Sequence, residues 1–162
     1  MNRRVLMGCG IALFISICVL LGGIGAILIG FRSEEPTDVV IDLTAPESVP
    51  SGEPFAVEIE ITNVYTGVQI LDSIDISTRY LKNISVNSTT PTATDEFDVP
   101  FVQFYSYTFE EELSMLESMT VVFEMVGEEE GLFEGDVDVC INKASSCQTI
   151  ELSTIIGTTA GR

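Results

Sequence analysis

Phe55-Ala56-Val57-Glu58-Ile59-Glu60-Ile61-Thr62-Asn63 is the stretch that decides the fold. Phe55, Val57, Ile59 and Ile61 point one way; Ala56, Glu58, Glu60 and Thr62 point the other. Strict alternation over such a length is the pattern of an antiparallel strand with one buried and one wet face. A helix would instead return its apolar residues every third or fourth position.

The segments on either side follow the same rhythm. Before this stretch, Ala45-Pro46-Glu47-Ser48-Val49-Pro50-Ser51-Gly52-Glu53-Pro54 is dense in turn residues. Earlier still, Val39, Ile41 and Leu43 alternate with Val40, Asp42 and Thr44, which predicts a first strand. Residues 63–67 read as the next turn, and residues 68–77 as a strand with Ile70, Ile74 and Ile76 in phase. Leu71 is out of phase, and a bulge near Asp72 would reconcile it. Tyr80, Leu81, Ile84 and Val86 form a short irregular apolar stretch, and residues 87–96, rich in Ser, Thr and Pro, read as a loop.

Residues 99–109 carry Phe101, Phe104, Tyr105, Tyr107 and Phe109, a strand-like density of aromatics whose expected use is the core. Residues 110–118 read as a connection, and residues 119–126 alternate again, with Val121, Phe123 and Met125 in phase. Residues 127–135 read as an acidic, glycine-bounded turn region. At the end, Val137, Val139 and Ile141 alternate with Asp136, Asp138 and Cys140, and Ile150 and Leu152 with Thr149, Glu151 and Ser153. The expected fold is all-β, an antiparallel β-sandwich of about seven or eight strands; a barrel is the alternative.

Pro50-Ser51-Gly52-Glu53-Pro54-Phe55, followed by Val57, Ile59, Ile61 and Asn63, resembles the opening of immunoglobulin-like modules on prokaryotic surface proteins, of the cell-adhesion-related repeat type. The resemblance implies an Ig-like sandwich and brings no catalytic residue with it. There is no Trp in the chain, so the antibody-type pairing of a core Trp with an inter-sheet disulfide is missing.

Residues 5–31, VLMGCGIALFISICVLLGGIGAILIGF, hold no charge. As a helix this run exceeds the roughly 20 residues needed to cross a bilayer core, and it is longer than the apolar region of a cleaved signal peptide. Leu28 stands where a cleavage site wants a small residue. The reading is therefore an uncleaved signal anchor, a single N-terminal transmembrane helix. Arg3 and Arg4 precede it, whereas Arg32 is followed by Glu34, Glu35 and Asp38. The positive-inside rule then leaves residues 1–4 cytoplasmic, with 32–38 as a tether, 39–157 as the sandwich and 158–162 as a tail outside. Within the run, Ala12, Ser16, Gly23, Ala26 and Gly30 are small residues on a path of alternating steps of three and four that passes through Val19, a seam on which a second helix can pack.

All 25 acidic residues lie after position 33, opposed there only by Arg79, Lys82, Lys143 and Arg162, a balance of −21. Such a surface repels nucleic acid and anionic headgroups. The absence of His removes the commonest general base and transition-metal ligand. No nucleophile elbow, P-loop or dinucleotide fingerprint occurs, so the expectation is no enzyme and no cofactor. Calcium is the exception to weigh, with Glu134, Asp136 and Asp138 as candidate ligands, although no EF-hand order is present. Alternation alone would put the same residues on a solvated face. Asn83-Ile84-Ser85 and Asn87-Ser88-Thr89 match the glycan-acceptor triplet. Cys140 and Cys147, outside the membrane run, read as a disulfide across the last hairpin, on the face opposite its apolar residues.

These features point to an extracytoplasmic binding, adhesion or scaffolding module held in the membrane by one span. Its partner would be met at a sandwich edge or on the aromatic strand. The alternatives are an accessory subunit held in a membrane complex by its helix, and an acidic calcium-binding module.

Overall fold

The alternation of the opening stretch becomes β3 (Pro54–Asn63), with Phe55, Val57, Ile59, Ile61 and Asn63 all buried on one side. The computed structural model describes residues 35–157. The apolar run 5–31 and its small-residue seam lie outside them. Among the described residues no helix is long and apolar enough to cross a membrane.

Around β3 the chain forms β1 (Val39–Thr44), β2 (Ser48–Val49), β4 (Gln69–Ser77), β5 (Ile84–Thr90), β6 (Asp95–Val99), β7 (Phe104–Leu113), β8 (Ser118–Gly127), β9 (Gly131–Ile141) and β10 (Cys147–Ile156). One sheet has the order β1-β3-β8-β5 and the other β2-β10-β9-β4-β7-β6. Neighbours run antiparallel except the two-residue β2, which pairs parallel with β10. Two separate sheets make a sandwich, not the alternative barrel.

The core is the sum of the inward faces. Val57, Ile59 and Ile61 of β3 and Val121, Phe123 and Met125 of β8 meet Ile74 and Ile76 of β4, Phe109 of β7, and Val137 and Val139 of β9. Each fully buried aliphatic contributes about 1.5–3 kcal/mol. Aromatic rings join the two layers: Phe123 of one sheet meets Tyr107 and Phe109 of the other edge-on, with ring centroids 5.1 and 6.3 Å apart.

Ten strands form among the described residues, more than the pattern predicts, and each difference has a physical reason. The bulge does fall between Leu71 and Ser73. It reverses the phase, so Leu71 is buried and Ile70 faces out, opposite to the in-phase reading of Ile70. Residues 87–96, expected as a loop, lie largely in β5 and β6. Both are edge strands paired on one side only. An edge has no need of an apolar stripe, so its Ser, Thr and Asp residues masked the strands. The aromatic segment 99–109 breaks into two strands at a turn, with Gln103 at φ 62. Glu110, Glu111 and Glu112 belong to β7 and are no connection; Glu110, at φ 57, sits opposite the bulge.

The turn expected over 127–135 shrinks, because β9 begins at Gly131 and buries Phe133. Gly135 is there for close approach: a Cβ would lie 2.8 Å from Tyr80 Cβ and 2.9 Å from Ser77 Cβ. Tyr80, on the 78–83 turn, reaches under the sheet, and its hydroxyl meets Thr154 Oγ1 at 2.9 Å with both residues fully buried.

Candidate functional site

The acidic candidates of β9 share one outward face. Glu134, Asp136 and Asp138 alternate with buried Phe133, Gly135, Val137 and Val139. Same-face residues on a strand stand nearly 7 Å apart, so the strand spreads these carboxylates rather than converging them. Asp138 Oδ1 accepts a hydrogen bond from Thr149 Oγ1 at 2.6 Å, and Asp136 lies opposite Glu151. Arg79 Nε donates to the backbone carbonyl of Glu134 at 2.9 Å. Among the described residues no three His, Cys, Asp or Glu side chains gather to hold a metal ion. The expected calcium ligands are therefore not brought together.

Asp75 of β4 lies directly opposite Asp138 on one side and Ser106 on the other. Its carboxylate accepts from Ser106 Oγ. Burial raises its pKa above the ordinary 3.8, and the charges of Asp138 and Asp72 push the same way, while the bonds to Ser106 and Ser73 oppose them. The disulfide lies beside this carboxylate, with Cys140 Sγ 3.9 Å from Asp75 Oδ2.

Cys140 and Cys147 are bonded. They face each other in the β9–β10 register, one step inside the hydrogen-bonded pair Ile141 and Ser146. A non-hydrogen-bonded pair brings side chains closest, and here the Cα atoms are 4.0 Å apart. Parity puts the bond on the outward face, as expected, yet neighbours cover it and both cysteines are buried.

Exposed apolar side chains concentrate at the two ends of the sandwich. At the end formed by the 78–83, 100–103 and 128–130 turns, Phe101 is 99% exposed, with Val102 and edge residue Phe97 also out in solvent. The expectation that Phe101 packs in the core is thus reversed, while Tyr107 and Phe109 do enter it. Burial and the nearby Glu96 charge push the Tyr107 phenol well above its usual range. Beside Tyr107, a shallow cleft of about 260 Å³ opens where the edge strands β5 and β6 part, lined by Asn87, Thr89, Ala93 and Glu96 among others.

At the opposite end, where the described chain enters, Val64, Tyr65, Val68, Met115 and Leu116 are exposed. One buried polar residue sets these loops. Asn63 Nδ2 donates to the carbonyls of Gly67, Leu113 and Ser114 at 2.8, 2.9 and 3.1 Å, and its Oδ1 accepts from the N–H of Tyr65 at 2.8 Å. Its backbone N–H donates to Glu117 O and its carbonyl accepts from Leu116 N. Asn63 is in phase with Phe55, Val57, Ile59 and Ile61, so the alternation already placed a polar side chain at a core position, where full satisfaction is demanded.

No family model matches the chain, and no curated protein matches it. Among solved structures, the VesB protease of Vibrio cholerae is similar at 12% identity and a TM-score of 0.46, over 75% of this chain and 32% of that one. The Escherichia coli alpha-2-macroglobulin from domain MG7 to its C-terminus is similar at 15% identity and a TM-score of 0.49, over 77% and 17%. A CARDB domain from Pyrococcus furiosus, solved with di-metal ions, is similar at 12% identity and a TM-score of 0.40, over 75% and 94%. The chain thus spans less than a third of the length of the first two. At these values the likenesses assign neither a family nor an activity.

Proposed function

We propose that the chain is a membrane-anchored, extracytoplasmic module of Ig-like type that acts by binding a protein partner and not by catalysis. The observation that carries this reading is the disulfide Cys140–Cys147, an internal staple of a kind that persists in oxidising compartments. The uncharged run 5–31 supplies the anchor, and the −21 balance after it suits a solvated exterior domain. The partner surface is the end bearing Phe97, Phe101 and Val102. Large apolar groups there contribute nothing to the core, and an exposed apolar patch rimmed by polar residues is how interaction sites present themselves. Asp95, Glu96 and Asp98 of the same edge favour a partner with basic residues around its apolar contact.

The test is site-specific photo-crosslinking of the full chain in its native membrane. A benzophenone side chain at Phe101 should give a discrete adduct that disappears when Phe97 and Val102 are changed to Ser, whereas the same probe at Val40, on the first edge strand, should give none. Equal diffuse labelling at both positions would overturn the assigned surface.

A further inference from the structure

The end of the sandwich where the chain enters presents a cluster of exposed apolar loop residues. Three loops meet there: residues 64–68 between β3 and β4, 114–117 between β7 and β8, and 142–146 between β9 and β10. They present Val64, Tyr65, Val68, Met115 and Leu116 to solvent, and their only charges are Glu117 and Lys143. This balance of zero sits in a region that carries −21 overall. Glu117 is already engaged, its Oε2 accepting from the N–H of Ser114 at 2.7 Å.

The apolar groups are held out, not left loose. Asn63 pins the first two loops from beneath. Asn142 pins the third: its Oδ1 accepts from Ile70 N at 3.0 Å and its Nδ2 bonds Gln69 Oε1. Leu116 sits at φ 62, where Leu is disfavoured, and is 72% exposed. Its side chain therefore does nothing for the fold.

Position along the chain identifies the occupant. Val64 N donates to Asp38 O at 3.0 Å, so the apolar loop is tied to the segment that leads back to the run 5–31. The stretch from Phe31 to Asp38 can reach at most about 25 Å when fully extended. Resting on the anchoring reading above, we infer that the loops bearing Val64, Tyr65, Val68, Met115 and Leu116 seat this end of the sandwich on the phospholipid surface of the bilayer that anchors the chain. Uncharged apolar tips with a Tyr are what an interface accepts, since Tyr keeps its ring in the apolar side and its hydroxyl in the wet one. Both ends of the sandwich carry exposed apolar groups, and it is the tie of Val64 to Asp38, a few residues from the run 5–31, that selects this end to face the membrane. Phe101 lies at the opposite end of the sandwich from these loops.

The chain lacks Trp, so one introduced Trp is a clean reporter. The probe is full-length protein in phosphatidylcholine vesicles whose acyl chains are brominated near the headgroup. The variants are Met115→Trp, Tyr65→Trp and, at the far end, Phe101→Trp, each checked for the parent's melting temperature. Both near-end variants should lose most of their emission to the brominated lipid and Phe101→Trp should lose none. If the chain floats with the vesicles and neither near-end variant is quenched, the seating is overturned while the anchor stands. Blue-shifted but unquenched emission at those positions would mean that protein covers the loops, which also overturns it. A chain that fails to float would remove the anchoring reading itself.

Discussion

The N–H of Val64 donates to the carbonyl of Asp38 at 3.0 Å, closing the first turn after β3 onto the residue that begins the sandwich. One step back along β3, Asn63 is fully buried and bonds three carbonyls on two loops. Hydrogen bonds therefore join the entry point, the β3–β4 connection between the two sheets and the β7–β8 turn.

Asn63→Ala leaves one buried and two partly buried carbonyls, and the Tyr65 N–H, without their side-chain partner. Unpaired buried groups cost about 1–3 kcal/mol each, and water entering a loop site recovers part of that. The variant should lose at least about 2 kcal/mol of stability in urea titration. Hydrogen exchange should rise first at Tyr65 and Leu116, and an unchanged midpoint would refute the role assigned to Asn63.

Removing the disulfide with the pair Cys140→Ser and Cys147→Ser should cost about 2–3 kcal/mol, the chain-entropy value for so short a loop. Both positions are buried, so hydroxyls there add a further penalty. Reductant should lower the parent's melting temperature and leave the double variant's unchanged.

Asp75 holds its proton to a higher pH in the folded chain than in the unfolded one. The protonated form therefore favours folding. That contribution is complete below the ordinary value of 3.8 and is lost as pH rises through the folded value. Asp75→Asn keeps an acceptor for Ser106 Oγ and removes the charge opposite Asp138. It should stabilise at neutral pH by up to about 1 kcal/mol, the scale of a cross-strand pair, and the gain should vanish in acid. Thermal melts of both proteins across the acid range measure this.

Gly135→Ala would force a methyl group against Tyr80 Cβ and Ser77 Cβ, atoms fixed to backbone. Overpacking of this kind costs about 1–3 kcal/mol. Tyr80→Phe, which empties the partner of Thr154 Oγ1 without adding volume, should cost about 1 kcal/mol. Equilibrium unfolding of the two variants separates the steric effect from the polar one.

The residues that alternate cleanly were legible before any coordinates: β3, β8 and the β9–β10 hairpin with its disulfide all follow from period two. Reading failed where another constraint outweighed alternation. The edge strands β5 and β6 carry polar residues because one side of each is unpaired. Gly135 looked like punctuation because close approach of Tyr80 leaves the same trace as a turn. Phe101 looked like core because composition does not show which aromatic falls on a four-residue turn. The spread of Glu134, Asp136 and Asp138 along one face was implicit in the alternation that singled them out. The grouping of Val64, Tyr65 and Val68 with Met115 and Leu116 joins loops far apart in sequence, and only the sheet order brings them to one end.

If residues 32–162 lie outside the cell membrane, a thiol on the 100–103 turn is open to the exterior. In a full-length chain carrying Cys9→Ser and Cys18→Ser, with Cys140 and Cys147 bonded to each other, Phe101→Cys is the single free thiol. A membrane-impermeant maleimide applied to intact cells should label it without permeabilisation, and opening the membrane should add no further labelling. Labelling that appears only after the membrane is opened would contradict the account.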